Sequence, residues 1–103
     1  MLTLTNRRDA DAITVTVRGE IDLGNVDQLT TGIATAVRDD VTSIVVDLSG
    51  VTFMDSAGIS ALLAGRRTAD EHGKAYRVAG ASGIVREILD LMGVWAHLSG
   101  QPH

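Results

Sequence analysis

The residues best suited to chemistry are Asp55 and Ser56, inside the run Phe53-Met54-Asp55-Ser56-Ala57-Gly58-Ile59. A carboxylate, a hydroxyl and a glycine fall together between an apolar run, Ile44 to Leu48, and an apolar-periodic segment from Ile59 onward. The first reads as a strand and the second as a helix. Open α/β sheets present their chemistry where a strand feeds a helix. A hydroxyl displayed there sits at a helix N-terminus, where backbone N–H groups and the helix dipole tolerate added negative charge. The chemistry indicated is modification of an exposed serine.

The same residues have plainer readings. Asp and Ser are favoured N-caps, worth roughly 0.5–2 kcal/mol, so Asp55-Ser56 also reads as a cap alone. Gly58 also reads as a glycine that lets helix and strand approach. Glu20 and Asp22 lie in Gly19-Glu20-Ile21-Asp22-Leu23-Gly24. A catalytic carboxylate pair needs an enclosed site with split pKa values; this segment reads as solvated edge. His72, His97 and His103 lack metal-ligand spacing. Ser56 has no histidine nearby in sequence and no Gly-x-Ser-x-Gly elbow. Gly80-Ala81-Ser82-Gly83 is neither a Walker motif nor a dinucleotide fingerprint and reads as turn and cap. The residues therefore indicate an exposed, modifiable serine and no enzyme, metal or cofactor.

Periodicity supplies the elements that must position this serine. Leu2 and Leu4 alternate with Thr3 and Thr5, an edge strand; Arg8-Asp9-Ala10-Asp11 reads as a turn. Ile13, Val15 and Val17 alternate with Thr14, Thr16 and Arg18, a half-buried strand that completes a hairpin. Asn25, with Gln28 three residues on, reads as a capping box for a helix buried along Val26, Leu29, Ile33 and Val37. Asp39-Asp40 ends it. Ile44-Val45-Val46 reads as a central strand covered on both faces, closed by Asp47-Leu48-Ser49-Gly50. Ile59, Leu62 and Leu63 begin a second helix, with Arg66 and Arg67 on its exposed part and Gly73 as its stop. Tyr76 and Val78 mark another strand. Ser82 reads as the cap of a third helix along Ile84, Val85, Ile88, Leu89 and Met92, ended by Gly93. Val94, Trp95 and Leu98 form a last apolar segment that packs on its own core or on another subunit, and residues 100–103 read as a frayed end. A hairpin followed by alternating β and α elements gives an α/β fold with a largely parallel sheet and right-handed crossovers.

Composition sets the outer bounds. The chain has 103 residues, which suits one domain spanning 1–103. It is 45% hydrophobic and 3% aromatic, so its core must be aliphatic. Net charge is -4, and Arg7-Arg8 and Arg66-Arg67 are mere pairs, so no direct nucleic-acid contact is expected. There is no cysteine, hence no disulfide. No apolar run is long enough for membrane insertion, and the start lacks signal-peptide character. A cytoplasmic location is the expectation.

Two segments together resemble the STAS domain family, and more narrowly the bacterial anti-sigma factor antagonists. They are Gly19-Glu20-Ile21-Asp22-Leu23 and Val45-Val46-Asp47-Leu48-Ser49-Gly50-Val51-Thr52-Phe53-Met54-Asp55-Ser56-Ala57-Gly58-Ile59. The resemblance implies a mixed sheet with helices following its strands. It implies a partner that is an anti-sigma factor with a GHKL-type serine kinase domain, whose capture frees a sigma factor. It implies that this kinase phosphorylates Ser56 and that a PP2C-type phosphatase reverses the step. Asp55 is then the motif Asp, Asp22 the acidic neighbour, and Asp22, Asp55, Ser56, Ala57, Gly58 and Ile59 the docking surface. Many relatives carry Ser or Thr where this chain has Ala57, which leaves one acceptor hydroxyl; Ser60, a turn further on, is the weaker candidate. The same resemblance also covers non-switching modules, such as stress-complex scaffolds and lipid-transporter accessory subunits, and a nucleotide-binding version of the fold.

Overall fold

Alternation along the second strand decides the architecture. In the computed structural model, which describes residues 1–100, Ile13, Val15 and Val17 are buried while Thr14 and Thr16 are half-buried. The reading of residues 100–103 as frayed, and His103 with it, falls mostly outside the described residues. The elements in chain order are β1 (Leu2–Asp9), β2 (Ala12–Ile21), α1 (Val26–Arg38), β3 (Ser43–Met54), α2 (Ser56–Glu71), β4 (Ala75–Ala79), α3 (Gly83–Leu91) and α4 (Trp95–Ser99). The sheet order is β1-β2-β3-β4, with β1 and β2 antiparallel and the remaining pairs parallel. This is the mixed α/β order expected from the sequence.

One face of the sheet carries the core. Ile13, Val15 and Val17 of β2, Ile44, Val46 and Leu48 of β3, and Tyr76 and Val78 of β4 join Leu29, Ile33, Leu62, Val85 and Leu89 of the helices in one buried cluster. Val45, between two buried neighbours, is half-buried and points to the other face with Thr14 and Arg77. The expectation that Ile44-Val45-Val46 is covered on both faces is therefore corrected. β-branched residues suit an open sheet face as well as a buried one, so a continuous Val/Ile run does not by itself report two helix layers. The result is a slab 20 Å thick.

The strands run longer than their apolar alternation. β1 extends through Arg8 and Asp9, which pair with Ile13 and Ala12. The turn is the two-residue Ala10-Asp11, with Ala10 at φ 54. Ladder hydrogen bonds hold the polar half of this edge strand without burial. β3 likewise does not close at Gly50. It continues to Met54, paired with Arg18–Ile21 across register shifts. Asp47 accepts from the Ser49 N–H at 2.9 Å near this irregularity, and a Cβ on Gly50 would lie 2.7 Å from Arg18 Cγ. The first register shift turns Val51 inward and the second, at Thr52, turns Met54 inward; both are buried.

α1 and α2 lie close together because Gly65 has no side chain. A Cβ there would stand 2.9 Å from Ile33 Cγ2 and 2.9 Å from the Tyr76 hydroxyl. That hydroxyl donates to the Leu62 carbonyl at 2.8 Å. Burial pushes the Tyr76 phenol well above its ordinary value of 10, with the Arg66 charge pulling weakly the other way. Below about pH 10 both folded and unfolded chains keep this proton. Above it the unfolded chain ionises and the folded chain does not, so stability falls as pH rises, by about 1.4 kcal/mol per unit. Tyr76 is the one tyrosine. In an alkaline titration, phenolate absorbance is expected to appear together with unfolding. A smooth titration near pH 10 with circular dichroism unchanged would show the phenol to be hydrated.

The last apolar segment packs on its own core. Trp95 and Leu98 of α4 are buried, the Arg86 guanidinium lies 4.4 Å from the Trp95 ring centroid, and Arg66 donates to the His97 carbonyl. Arg66 is thus a tie between α2 and α4 and not a free surface group; Arg67 is exposed.

Candidate functional site

Adjacent parallel strands β2 and β3 end together: Ile21 pairs with Met54, and the Asp55 N–H donates to the Ile21 carbonyl at 3.2 Å. Asp22 and Ser56 are each the next residue beyond that bond. Each strand then turns into a helix, so the starts of α1 and α2 share this corner of the sheet.

Asp55 is the N-cap of α2. Its carboxylate accepts from the Ala57 N–H at 2.9 Å and the Gly58 N–H at 3.4 Å. Ser56 is the first helical residue and is exposed, and among the described residues its hydroxyl has no hydrogen-bond partner. The capping and the display are therefore split between neighbours: Asp55 holds the helix start and Ser56 is left free. Ala57 is half-buried, and Gly58 and Ile59 are buried. These last two shape the corner from beneath and offer no surface of their own. Ser60 is exposed one turn along.

Asp22 organises the other turn. Its carboxylate accepts from the Gly24 N–H at 2.9 Å and the Asn25 N–H at 3.2 Å, and its carbonyl from the Val26 N–H at 2.9 Å. Asn25 does not cap α1 with its side chain. That side chain reaches backward instead, accepting from the Asp22 N–H at 2.9 Å and donating to the Glu20 carbonyl at 2.9 Å. The capping box expected from Asn25 and Gln28 is thus replaced by a closed turn of Glu20, Asp22 and Asn25. An Asx residue bonds local backbone in either direction, and the tight turn after β2 takes priority. Ser82 likewise occupies the N-cap of α3 without a side-chain bond.

The corner is acidic. Glu20, Asp22 and Asp27 are exposed and Asp55 is half-buried, while residues 19–37 and 41–65 contain no Lys, Arg or His. Two further exposed residues belong to the corner and were not among the sequence candidates. Leu23, in the turn after β2, is 79% exposed, and Phe53, one residue before Met54, is 45% exposed. Phe53 pairs in register with Glu20. An open cleft of about 600 Å³ lies between β1 and α1, lined by Leu4, Asn6, Asp27, Gln28 and Thr31 among others; it shares Asp27 with the corner, but Asp55 and Ser56 are not part of it. Among the described residues there is no group of three or more His, Asp or Glu side chains fit to hold a metal, and no helix long and apolar enough to cross a membrane.

A two-layer α/β domain that spends its exposed corner on a capped helix start and two solvent-facing apolar side chains is a protein-interaction domain. Its family is shown by comparison: residues 4–98 match the family described as Mlab, STAS domain, and the chain belongs to the STAS domain family. It is 34% identical over 97 residues to the anti-sigma-F factor antagonist RsfB of Mycobacterium tuberculosis, covering 82% of this chain and 77% of that one. Among solved structures it resembles an anti-sigma factor antagonist from Mycobacterium paratuberculosis, with a TM-score of 0.86 and 27% identity over 100% of this chain and 87% of that one. The anti-sigma factor antagonist SpoIIAA of Bacillus, solved in its phosphorylated form, shares the fold with a TM-score of 0.70 at 23% identity, over 90% of this chain and 87% of that one.

Proposed function

We propose that this chain is an anti-sigma factor antagonist acting in the cytoplasm, and that its hold on the anti-sigma factor is set by phosphorylation of Ser56. The family, and the two mycobacterial antagonists it resembles, support the first part. The observation that carries the second is the division of labour at α2. Because Asp55 supplies the cap, the Ser56 hydroxyl is spare, exposed and presented on a rigid helix start.

The kinase is the partner itself, an anti-sigma factor with a GHKL-type serine kinase domain. Its bound ATP is attacked at the γ-phosphorus by Ser56 Oγ; the O–P bond forms, ADP leaves, and the hydroxyl proton passes to a base on the kinase. A PP2C-type phosphatase hydrolyses the ester and restores the hydroxyl. The phosphate adds about -1.5 to -2 charge. The two first-turn N–H groups nearest to it are already taken by Asp55, and residues 19–37 and 41–65 supply no Lys, Arg or His to neutralise it. The phosphate therefore stays in water on the free domain and is open to the phosphatase.

The test is peptide mass spectrometry of the native protein, together with recovery of its bound partner. Phosphate on Ser56, and an identified GHKL-type kinase held by the unphosphorylated form, are expected. Ser56 unmodified under all growth conditions, with a transporter or scaffold subunit recovered, would replace this reading with a non-switching interaction module.

A further inference from the structure

We infer that Leu23 and Phe53 are the apolar anchors by which this domain docks on its anti-sigma factor, and that the Ser56 phosphate releases the partner by making this contact impossible to dry. The inference rests on the function proposed above. The chain has one Phe, one Tyr and one Trp. Tyr76 and Trp95 are buried, whereas Phe53 is 45% exposed beside an aliphatic core. Leu23 is more exposed still, at 79%. Met1, Ile84, Leu91 and Met92 are also large, apolar and exposed; Leu23 and Phe53 are set apart by lying beside Asp22 and Asp55 at the two paired strand ends, and aromatic residues are enriched where interfaces exclude water.

Position ties both to the serine. Phe53 precedes Ser56 by three residues on β3 and its turn; Leu23 follows Glu20, the register partner of Phe53, by three residues on the adjacent strand end. The exposed groups around them are Glu20, Asp22 and Asp27, with no cation in residues 19–37 or 41–65. The partner surface that complements this corner is an apolar pocket with a basic rim.

That complement bears on how release works. Asp22 already repels a phosphate on Ser56 in the free domain, and docking adds to that repulsion as water leaves the contact. A basic rim would attract the phosphate. What the phosphate changes is hydration: it must keep its water beside a contact that otherwise excludes water, and dehydrating an unpaired charge is costly. Charge repulsion would be screened by salt; this penalty would not be.

The test is calorimetric titration of the purified anti-sigma factor identified above with the full chain, at 50 mM and 500 mM NaCl. Leu23→Ala and Phe53→Ala are each expected to weaken binding at least tenfold, with near-native circular dichroism. Leu91→Ala, 86% exposed at the far end of α3, is expected to bind as wild type. The ratio of wild-type to Ser56→Asp affinity is expected to stay within threefold across the two salts. Wild-type affinity for Leu23→Ala and Phe53→Ala would overturn the anchors while leaving the antagonist reading intact. A ratio that collapses at high salt would overturn release by hydration in favour of repulsion. No binding by wild type would overturn the function and this surface with it.

Discussion

Ser56→Asp is expected to bind the anti-sigma factor about a hundredfold more weakly than wild type, with a melting temperature unchanged or slightly higher. A hundredfold is about 2.7 kcal/mol. Leaving one charge unpaired in an otherwise dry contact costs several kcal/mol, so this figure lies within reach of the mechanism. Folding is spared because the first turn of a helix favours an anionic side chain, by about 0.3–1 kcal/mol, partly offset here by the neighbouring Asp55. Ser56→Ala removes the acceptor and nothing that holds the helix, since Asp55 and not Ser56 is the cap. It is expected to bind as wild type and to resist phosphorylation. Isothermal titration with both variants checks the pair. Equal affinity for wild type and Ser56→Asp would sink the switch, and weak binding by Ser56→Ala would make the hydroxyl a contact in its own right.

Gly58→Ala is expected to lower the melting temperature by about 10 °C. A Cβ at this position would stand 2.5 Å from Met54 Cγ, 2.9 Å from Ile21 Cγ2 and 3.2 Å from the Met54 sulfur. Ile21 and Met54 are both fully buried and paired in register, so neither yields easily. Overfilling of this kind costs about 1–3 kcal/mol, against a gain of up to about 1 kcal/mol from replacing glycine in a helix. A net loss near 2 kcal/mol corresponds to roughly 10 °C for a domain of this size. The measurement is a calorimetric melt beside Ser60→Ala, an exposed change on the same helix that should leave the midpoint nearly unmoved. A Gly58→Ala midpoint equal to wild type would mean that the start of α2 has room to shift. Because Ser56 leads that turn, a tolerated but displaced helix start would also be expected to blunt phosphorylation.

Element order was legible in the residues because each helix and strand carries its own period. The stops at Gly73 and Gly93 were legible for the same reason: both adopt positive φ at helix ends, at 67° and 71°. What eluded periodicity was everything held by backbone hydrogen bonds. The polar half of β1 and the stretch of β3 beyond Gly50 have no clean alternation, and their places come from pairing with β2. The caps misled in a similar way. Asn25 and Ser82 have the right chemistry at the right positions, but one side chain serves a preceding turn and the other makes no cap bond.

At the site, Asp22 entered through the family resemblance alone, while Asp55 and Ser56 were legible as candidates because polar residues between two apolar runs stand out. Leu23 and Phe53 did not, since an isolated Leu or Phe next to a strand reads as core. For Phe53 the strand irregularity decides the matter: Val51 and Met54 turn inward, three residues apart, and Phe53 is left outside. A count of two from Val51 would have buried it.

The one-sided core has a consequence for how this chain can drift over evolutionary time. Along β2 and the first half of β3, every second position faces the helices and admits few replacements, while Thr14, Thr16 and Val45 between them face the open side and are cheap to exchange. The constraint thus runs as a two-beat rhythm. At Ser49-Gly50 the beat slips, and at Thr52 it slips again, so the inward positions pass from Leu48 to Val51 and then to Met54. Insertions or deletions of one residue, ruinous elsewhere in these strands, would meet their least resistance there.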